Sequence, residues 1–385
     1  MTKKEFLKTL FFSMGGASLL PHISSAKDAV KKIASAPVKY VRNRTFALNS
    51  LRKNPPMLQT EGGFSIIVLG DPQSYMKFNY NQPAFELMTS WVAEKKEDLN
   101  IQTVLCTGDL VEQNGIVDSN AGSRYKDKNG NVPSRLQWKA VSRAFERFDN
   151  IYPYIPVTGN HDYGIEACEN RQSEFPIVFN IERNNNQWSK HLVEVANNAF
   201  GIPTLENAAF EFYDKNWGNY MIISLEFSPR DEVLDWAKKV CDKFPNYKVF
   251  IITHSLMNTK SNLIPKEKYL AAENSGENIF EKLLDKCPNI KFAICGHSAT
   301  TEIMSKFRVF KRTDGSNMPI MMFNPQAISG WFGNGGDGWL RILEFKPDGK
   351  TISARTYSPV FAFSDRTEDL SWDNTPDNKF EFQID

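Results

Sequence analysis

The sequence lacks any apolar run of the ~18 residues that a membrane-crossing helix needs. No integral membrane segment is therefore expected in the mature chain. An excess of either charge is also missing, since 46 Lys and Arg stand against 45 Asp and Glu. Such a balance gives no reason to expect nucleic acid or an acidic membrane as a partner. Cysteine is scarce, with five in 385 residues and no Cys-x-x-Cys pair. A structural zinc site built on paired cysteines is thereby excluded. Cys106 and Cys295 sit inside apolar runs and read as buried thiols. Cys168, Cys241 and Cys287 leave room for one disulfide without specifying it. Internal repeats and low-complexity segments are absent too. What is present is a chain with 41% hydrophobic residues, enough for one large core or two small ones.

The first 26 residues read as a targeting segment. Lys3, Lys4 and Lys8 make a basic start, Thr9 to Leu20 is apolar and small, and Ser24-Ser25-Ala26 offers a cleavage site. Thr2 to Lys8 is similar to a twin-arginine signal with lysine in place of both arginines. The alternative is an amphipathic N-terminal helix of the folded protein. With cleavage, the expected location is periplasmic or secreted. Residues 27–60 lack periodicity and read as a linker or a docked arm. Residues 61–360 form the expected main domain, and 361–385 a C-terminal strand or tail of the same domain.

Apolar runs predict strands over Phe64–Leu69, Ile101–Cys106, Ile151–Val157, Val249–Ile252 and Ile290–Cys295. Helical spacing covers Ala84–Lys95, Gln137–Phe148, Gln187–Phe200 and Pro229–Phe244. Phe210–Tyr213 and Tyr220–Phe227 read as a hairpin. From Thr301 onward the pattern is strand-rich. A polar cluster follows each of the first five runs. In order these are Asp71-Pro72-Gln73, Gly108-Asp109 with Glu112, Gly159-Asn160-His161-Asp162, Thr253-His254 and Gly296-His297. Taken singly, each reads equally well as a turn, a cap or a buried histidine. Five metal-ligand types at five strand ends are harder to explain that way.

This ordered set resembles the calcineurin-like metallophosphoesterase superfamily. Gln137-Trp138, Pro229 to Leu234 and Gly338 to Leu343 resemble a bacterial, mostly secreted subgroup whose first motif is Asp-Pro-Gln. The resemblance implies an α/β (α+β) fold of two mixed β-sheets packed face to face with helices outside. It implies a metal-dependent phosphoric ester hydrolase, a phosphatase or phosphodiesterase that uses a metal-bridging hydroxide. The expected cofactors are two divalent ions drawn from Mn, Fe, Mg or Zn, and the expected partner is a small-molecule phosphate ester. Asp109 would bridge the ions, Asn160, His254 and His297 would complete the second site, and Asp71 and Gln73 would serve the first. His161 is the expected general acid, with Asp71 counted beside it as catalytic.

Two departures weaken the first site. Gln73 stands where the common motif has histidine, and Ser298-Ala299 follows His297 where a second histidine is usual. Glu112 is a candidate replacement ligand. An oxygen-rich first site favours hard ions. The runner-up is a non-catalytic or mononuclear metal protein that binds a phosphorylated ligand. A glycosidase using Asp71 and Asp109 leaves Asn160, His254 and His297 without a role. Gly333 to Gly338 fits G-x-G-x-x-G, yet a strand pattern follows it where a dinucleotide loop opens a helix. Asn324, Gln326 and Trp331 near this loop are candidate substrate contacts.

Overall fold

Phe64–Leu69 (β1) has the composition of a strand covered on both faces, and all six of its residues are buried. It lies inside a seven-stranded sheet of order β13-β12-β11-β1-β2-β3, with β14 pairing β12. β2 is Ile101–Cys106, β3 is Ile155–Pro156, β11 is Leu340–Phe345 and β12 is Thr351–Tyr357. β13 is Trp372–Asp373 and β14 is Lys379–Gln383. β1, β2 and β3 run parallel, while β11 pairs β1 antiparallel in the register Leu69↔Leu340.

The second sheet has the order β4-β5-β6-β7-β8-β10-β9. Its strands are β4 Leu192–Asn197, β5 Pro203–Asp214, β6 Gly218–Leu225 and β7 Lys248–Thr253. β8 Ile290–Cys295, β9 Ser305–Lys311 and β10 Asn317–Phe323 complete it. β6, β7, β8 and β10 are parallel, so their C-terminal ends share one edge. Both sheets are mixed, as expected.

This is a computed structural model that describes residues 55–116, 130–328, 330 and 334–385. The described residues belong to one compact unit, Arg52–Asp385. The expected leader, residues 27–54 and the candidate contact Trp331 lie outside them.

The sheets meet across an aromatic core. Phe64 stacks on Phe345 at 4.7 Å and on Tyr220 of the other sheet at 5.6 Å. Trp217 closes the same cluster edge-on to Phe345. Each such side chain removes a large apolar area from water. Helices cover the outer faces and make four layers. Gln82–Glu94 (α2), after the single turn Gln73–Met76 (α1), buries Phe85, Met88 and Trp91. Ser134–Phe145 (α3) packs beside α2 through Phe145 and Phe85. Asp231–Lys243 (α6) covers the second sheet with Val233, Leu234, Ala237, Val240 and Cys241, a helical stripe. Asp231 and Glu232 in its first turn suit the positive end of the helix dipole.

The helix expected over Gln187–Phe200 is only half right. Asn185–His191 (α5, after the turn Phe175–Val178, α4) is helical. Leu192–Asn197 instead adds β4 to the edge of β5. Val193 and Val195 favour an extended edge, and pairing with β4 satisfies backbone groups of β5 that an open sheet edge would present to solvent. Residues 55–60 are docked. The N–H groups of Gln59 and Thr60 donate to buried Glu344 at 2.8–2.9 Å, and Arg355 donates to the same carboxylate. Two short helical elements, Gly276–Ile279 (α7) and Pro359–Ala362 (α8), complete the order. Among the described residues no helix is long and apolar enough to cross a membrane.

Candidate metal centre

The ends of six parallel strands converge on one point. Asp71 follows β1, Asp109 follows β2, and Asn160 and His161 follow β3. His254 follows β7, His297 follows β8 and Asn324 follows β10. Strand ends of a packed sheet are stiff, so they hold side chains with little entropy left to lose. The backbone is forced to fit the site. Asp109 and His297 take left-handed conformations, with φ of 47° and 62°. A Cβ on Gly159 would lie 2.1 Å from Asp109 Oδ1, and one on Gly296 would lie 2.1 Å from Asp71 Oδ1. Only glycine lets these turns come so close.

His254 is fully buried and its Nδ1 lies 2.7 Å from the Thr107 carbonyl. A carbonyl only accepts, so Nδ1 carries the hydrogen and Nε2 faces the cluster. Nε2 lies 3.2 Å from Asp109 Oδ2, 3.2 Å from Asn160 Oδ1 and 3.1 Å from His297 Nδ1. Lone pairs this close repel unless positive charge lies between them. The spacing matches neighbouring ligands around a divalent ion with bonds of about 2.0–2.2 Å. Asn160 Nδ2 is buried without a partner, so the amide gives up a donor to present its oxygen inward. Gln73 Oε1 is also buried and unpartnered, and Gln73 lines the same cavity as Asp109, Asn160 and His297. These residues fit a divalent cation with oxygen and imidazole ligands.

The local electrostatics agree. Burial resists charge on His254, but Asp109 and Asp71 outweigh it and push its pKa up to about 10. Burial and the neighbouring His254 push His297 down to about 3. Asp71 rises to about 7, mainly through burial, with Asp109 adding to the rise. Burial works against ionising Asp109 too, yet His254 and His161 hold it well below the usual carboxylate range. At neutral pH these effects leave His254 protonated beside the carboxylates, a positive charge that a bound metal ion would replace.

The remaining sequence candidates fall into place one by one. His161 donates its backbone N–H to Asp109 Oδ1 at 3.0 Å, and its Nδ1 lies 2.6 Å from the Glu112 carbonyl. Its ring therefore stands off the ligand cluster with Nε2 unused. Burial lowers its pKa, but Asp109 and Glu112 reverse the balance and raise it. Asp71 is buried and engaged on both oxygens. Oδ1 accepts from Thr107 at 2.6 Å, and Oδ2 accepts from the His297 N–H at 2.9 Å and Asn324 Nδ2 at 2.5 Å. Asn324 is thus a buried support for Asp71 and not a substrate contact. Gln326 does line the cavity. Glu112 is withdrawn as a ligand, because its carboxylate pairs with buried Lys77 at 3.1 Å.

The sequence reading named Asp162 without giving it a role and missed several other residues. Asp162 accepts the N–H groups of Gly159, Leu110 and Val111 at 2.7–3.1 Å and so locks two site turns together. Glu267 Oε2 lies 3.8 Å from His297 Nε2, on the ring edge away from the cluster, and Ser255 donates to its other oxygen. Lys268, Tyr269 and Thr259 line the cavity, which holds about 290 Å³. Lys268 is the only Lys or Arg on its described wall. Among the described residues, a larger cavity of about 520 Å³ at Arg355 and Trp372 has no such ligand cluster.

A profile of the calcineurin-like phosphoesterases matches residues 64–300. YvnB of Bacillus subtilis, an uncharacterized protein, is 25% identical over 300 residues, or 77% of this chain and 20% of its own length. The chain thus spans about a fifth of that relative. Among solved structures, a dimetal phosphatase from Danio rerio aligns over 84% of this chain and 99% of its own, with TM-score 0.46 and 10% identity. PhoD aligns over 86% and 72%, with TM-score 0.44 and 10% identity. GAP50, the anchor in the inner membrane complex of Plasmodium, aligns over 84% and 89%, with TM-score 0.43 and 12% identity.

Proposed function

The chain belongs to the calcineurin-like phosphoesterase family, and on that premise we propose that it hydrolyses small phosphate esters in a metal-dependent reaction. The observation that carries this reading is the convergence of Asp109 Oδ2, Asn160 Oδ1, His254 Nε2 and His297 Nδ1 at 3.1–3.2 Å contacts. In this reading those four residues hold one ion. Asp109, Asp71 and Gln73 hold a second, oxygen-rich site. Divalent ions held by these residues would neutralise phosphate charge and supply a water nucleophile at neutral pH.

The protein's own groups do the rest. His161 keeps its Nδ1–H on the Glu112 carbonyl, so Nε2 is the atom that delivers a proton to the leaving oxygen. Lys268 offers a cation to the non-bridging phosphoryl oxygens. Thr107, Asn324 and the His297 N–H hold Asp71 in place. The purified protein with added Mn should release phosphate or alcohol from an aryl phosphomonoester or phosphodiester. No turnover of either ester across Mn, Fe, Mg and Zn would overturn the hydrolase reading.

Two observations favour the second reading, a mononuclear or non-catalytic metal protein that binds a phosphorylated ligand. Both Asp71 oxygens are already satisfied by protein donors, and no second histidine follows His297. Metal content separates the two: about two ions per chain supports the two-metal hydrolase, and about one supports the alternative. A periplasmic or secreted location is part of the proposal and rests on the pattern of the first 26 residues. The mass of the native protein should show cleavage after Ala26, and an intact N-terminus would refute it.

A further inference from the structure

We propose that the alcohol part of the ester carries further hydroxyl groups, so that the substrate is a small polyol phosphate, with Gln326, Thr259, Ser298 and Tyr269 as the residues that recognise it. This rests on the phosphate-ester function proposed for the same cavity. That cavity holds about 290 Å³, at the small end for ligand pockets. Ala299 is the only residue on its described wall without a polar side-chain group. Gln73, Asp109, Asn160 and His297 belong to the proposed metal centre, and His161 and Lys268 serve the phosphoryl group. The remaining polar residues are the ones that can meet the alcohol. Gln326 follows β10 and is 3% exposed. The Ser74 hydroxyl donates to its Oε1 at 3.4 Å, and its backbone N–H donates to Asn324 Oδ1 at 3.1 Å. With its oxygen engaged, the amide turns Nε2 the other way. Among the described residues nothing accepts from Nε2, yet the atom is not sealed in. The same holds for the hydroxyls of Thr259, Ser298 and Tyr269.

The chemistry of these groups selects the ligand. Gln326 Nε2 only donates, whereas the three hydroxyls donate and accept. An alkyl chain would strip them of water without replacing the lost hydrogen bonds. An ammonium alcohol would lie near Lys268, the only Lys or Arg on the described wall. A hydroxyl, as on glycerol or a sugar ring, accepts from Nε2 and both gives and takes hydrogen bonds with the other three. The recognising groups are also firmly placed. Thr259 and Tyr269 stand on the segment after β7, Ser298 follows His297 after β8, and Gln326 follows β10. The Tyr269 ring meets Phe227 edge-on at 5.4 Å and His297 at 6.1 Å. Lys268 Nζ lies 5.5 Å from the centre of that ring, which keeps the phosphate-facing cation beside the alcohol-facing phenol. Such a site discriminates by rejecting the analogue without the hydroxyl, because its own polar groups are then left unpaired.

The test titrates the full chain, in the presence of Mn, with 3,4-dihydroxybutylphosphonate and with butylphosphonate in a calorimeter. A P–C bond resists hydrolysis, so binding is read whether or not the protein turns esters over. The dihydroxy ligand should bind about tenfold tighter or more, the worth of one or two neutral hydrogen bonds. Gln326→Leu should narrow that difference by roughly fivefold. Thr259→Val provides the same reading should Gln326→Leu not fold. Equal affinity, tighter binding of butylphosphonate, or no binding of either would overturn the proposal. Glycerol 3-phosphate and its methyl diester are then assayed against propyl phosphate and its methyl diester. Faster hydrolysis of a glycerol ester supports the proposal, and faster hydrolysis of its propyl counterpart overturns it. Selective binding of the dihydroxy ligand without turnover of any ester would overturn the hydrolase reading and support the polyol assignment.

Discussion

Asn160 and His161 are adjacent, yet the turn aims them differently, and their substitutions should separate. His161→Ala should keep its metal and lose about a hundredfold or more in rate, most on esters with poor leaving groups. Asn160→Ala should lose metal affinity and regain activity in excess Mn; metal analysis with steady-state kinetics checks both. Lys268→Ala should leave metal content alone and raise KM by roughly tenfold, the worth of a charged hydrogen bond. Glu267→Gln should weaken Mn binding about 10- to 100-fold through His297, with the fold unchanged by circular dichroism. Much of the candidate site was legible because Asp71, Asp109, Asn160, His254 and His297 each lie just after an apolar run. Gln73 and Gln326 could be named from their motifs for the same reason. Glu112 misled because its partner, Lys77, is 35 residues away in sequence and close only in the fold. Asn324 was named for the wrong job, since nothing local shows that its amide meets Asp71. Glu267 and Lys268 lie in a loop without motif or periodicity, so no spacing could point to them.

At the scale of elements, the hydrophobic periods found nearly every strand and the long helices. The miss at Leu192–Asn197 shows why edge strands are hard to read. Their partner decides their state, and here that partner is β5, across the turn at residues 198–202. β5 carries a titrating group with a consequence for stability. Glu206 is buried on it, accepting from Tyr163 at 2.5 Å and from Asn198 and Thr204 at 3.2 Å each. Burial, with Glu226 adding, raises its pKa above the ordinary 4.5. In the window above 4.5 the unfolded chain has already released this proton while the folded chain holds it. The contribution of Glu206 is therefore full below that window and is lost as pH rises through the folded value. Glu206→Gln removes the titration. Its melting temperature, measured against the parent at a series of pH values, should gain on the parent as pH rises from about 4.5. A constant difference across the series would refute the raised pKa.

At the scale of the molecule, the alternation of helix and strand early and of strands late showed only a mixed α/β chain, and the four layers were implied by the family resemblance. For residues 55–60 the choice between linker and docked arm was left open, because it depends on Glu344, a buried carboxylate nearly 300 residues downstream. Removing metal should be felt globally. Chelator-treated protein should melt several degrees below protein reloaded with Mn, since an ion that binds only the folded state adds its binding free energy to stability. Equal melting temperatures would mean that the folded chain holds no ion. The six strand ends hold a further consequence. Asp109 and Asn160 come from one sheet, and His254 and His297 come from the other. Neither sheet alone has a complete cage. A chain that has formed one sheet, or has both sheets out of register, offers an ion only half of its ligands. Under the proposed reading, tight metal capture would wait for both sheets, so the ion would act as an inspector of finished molecules.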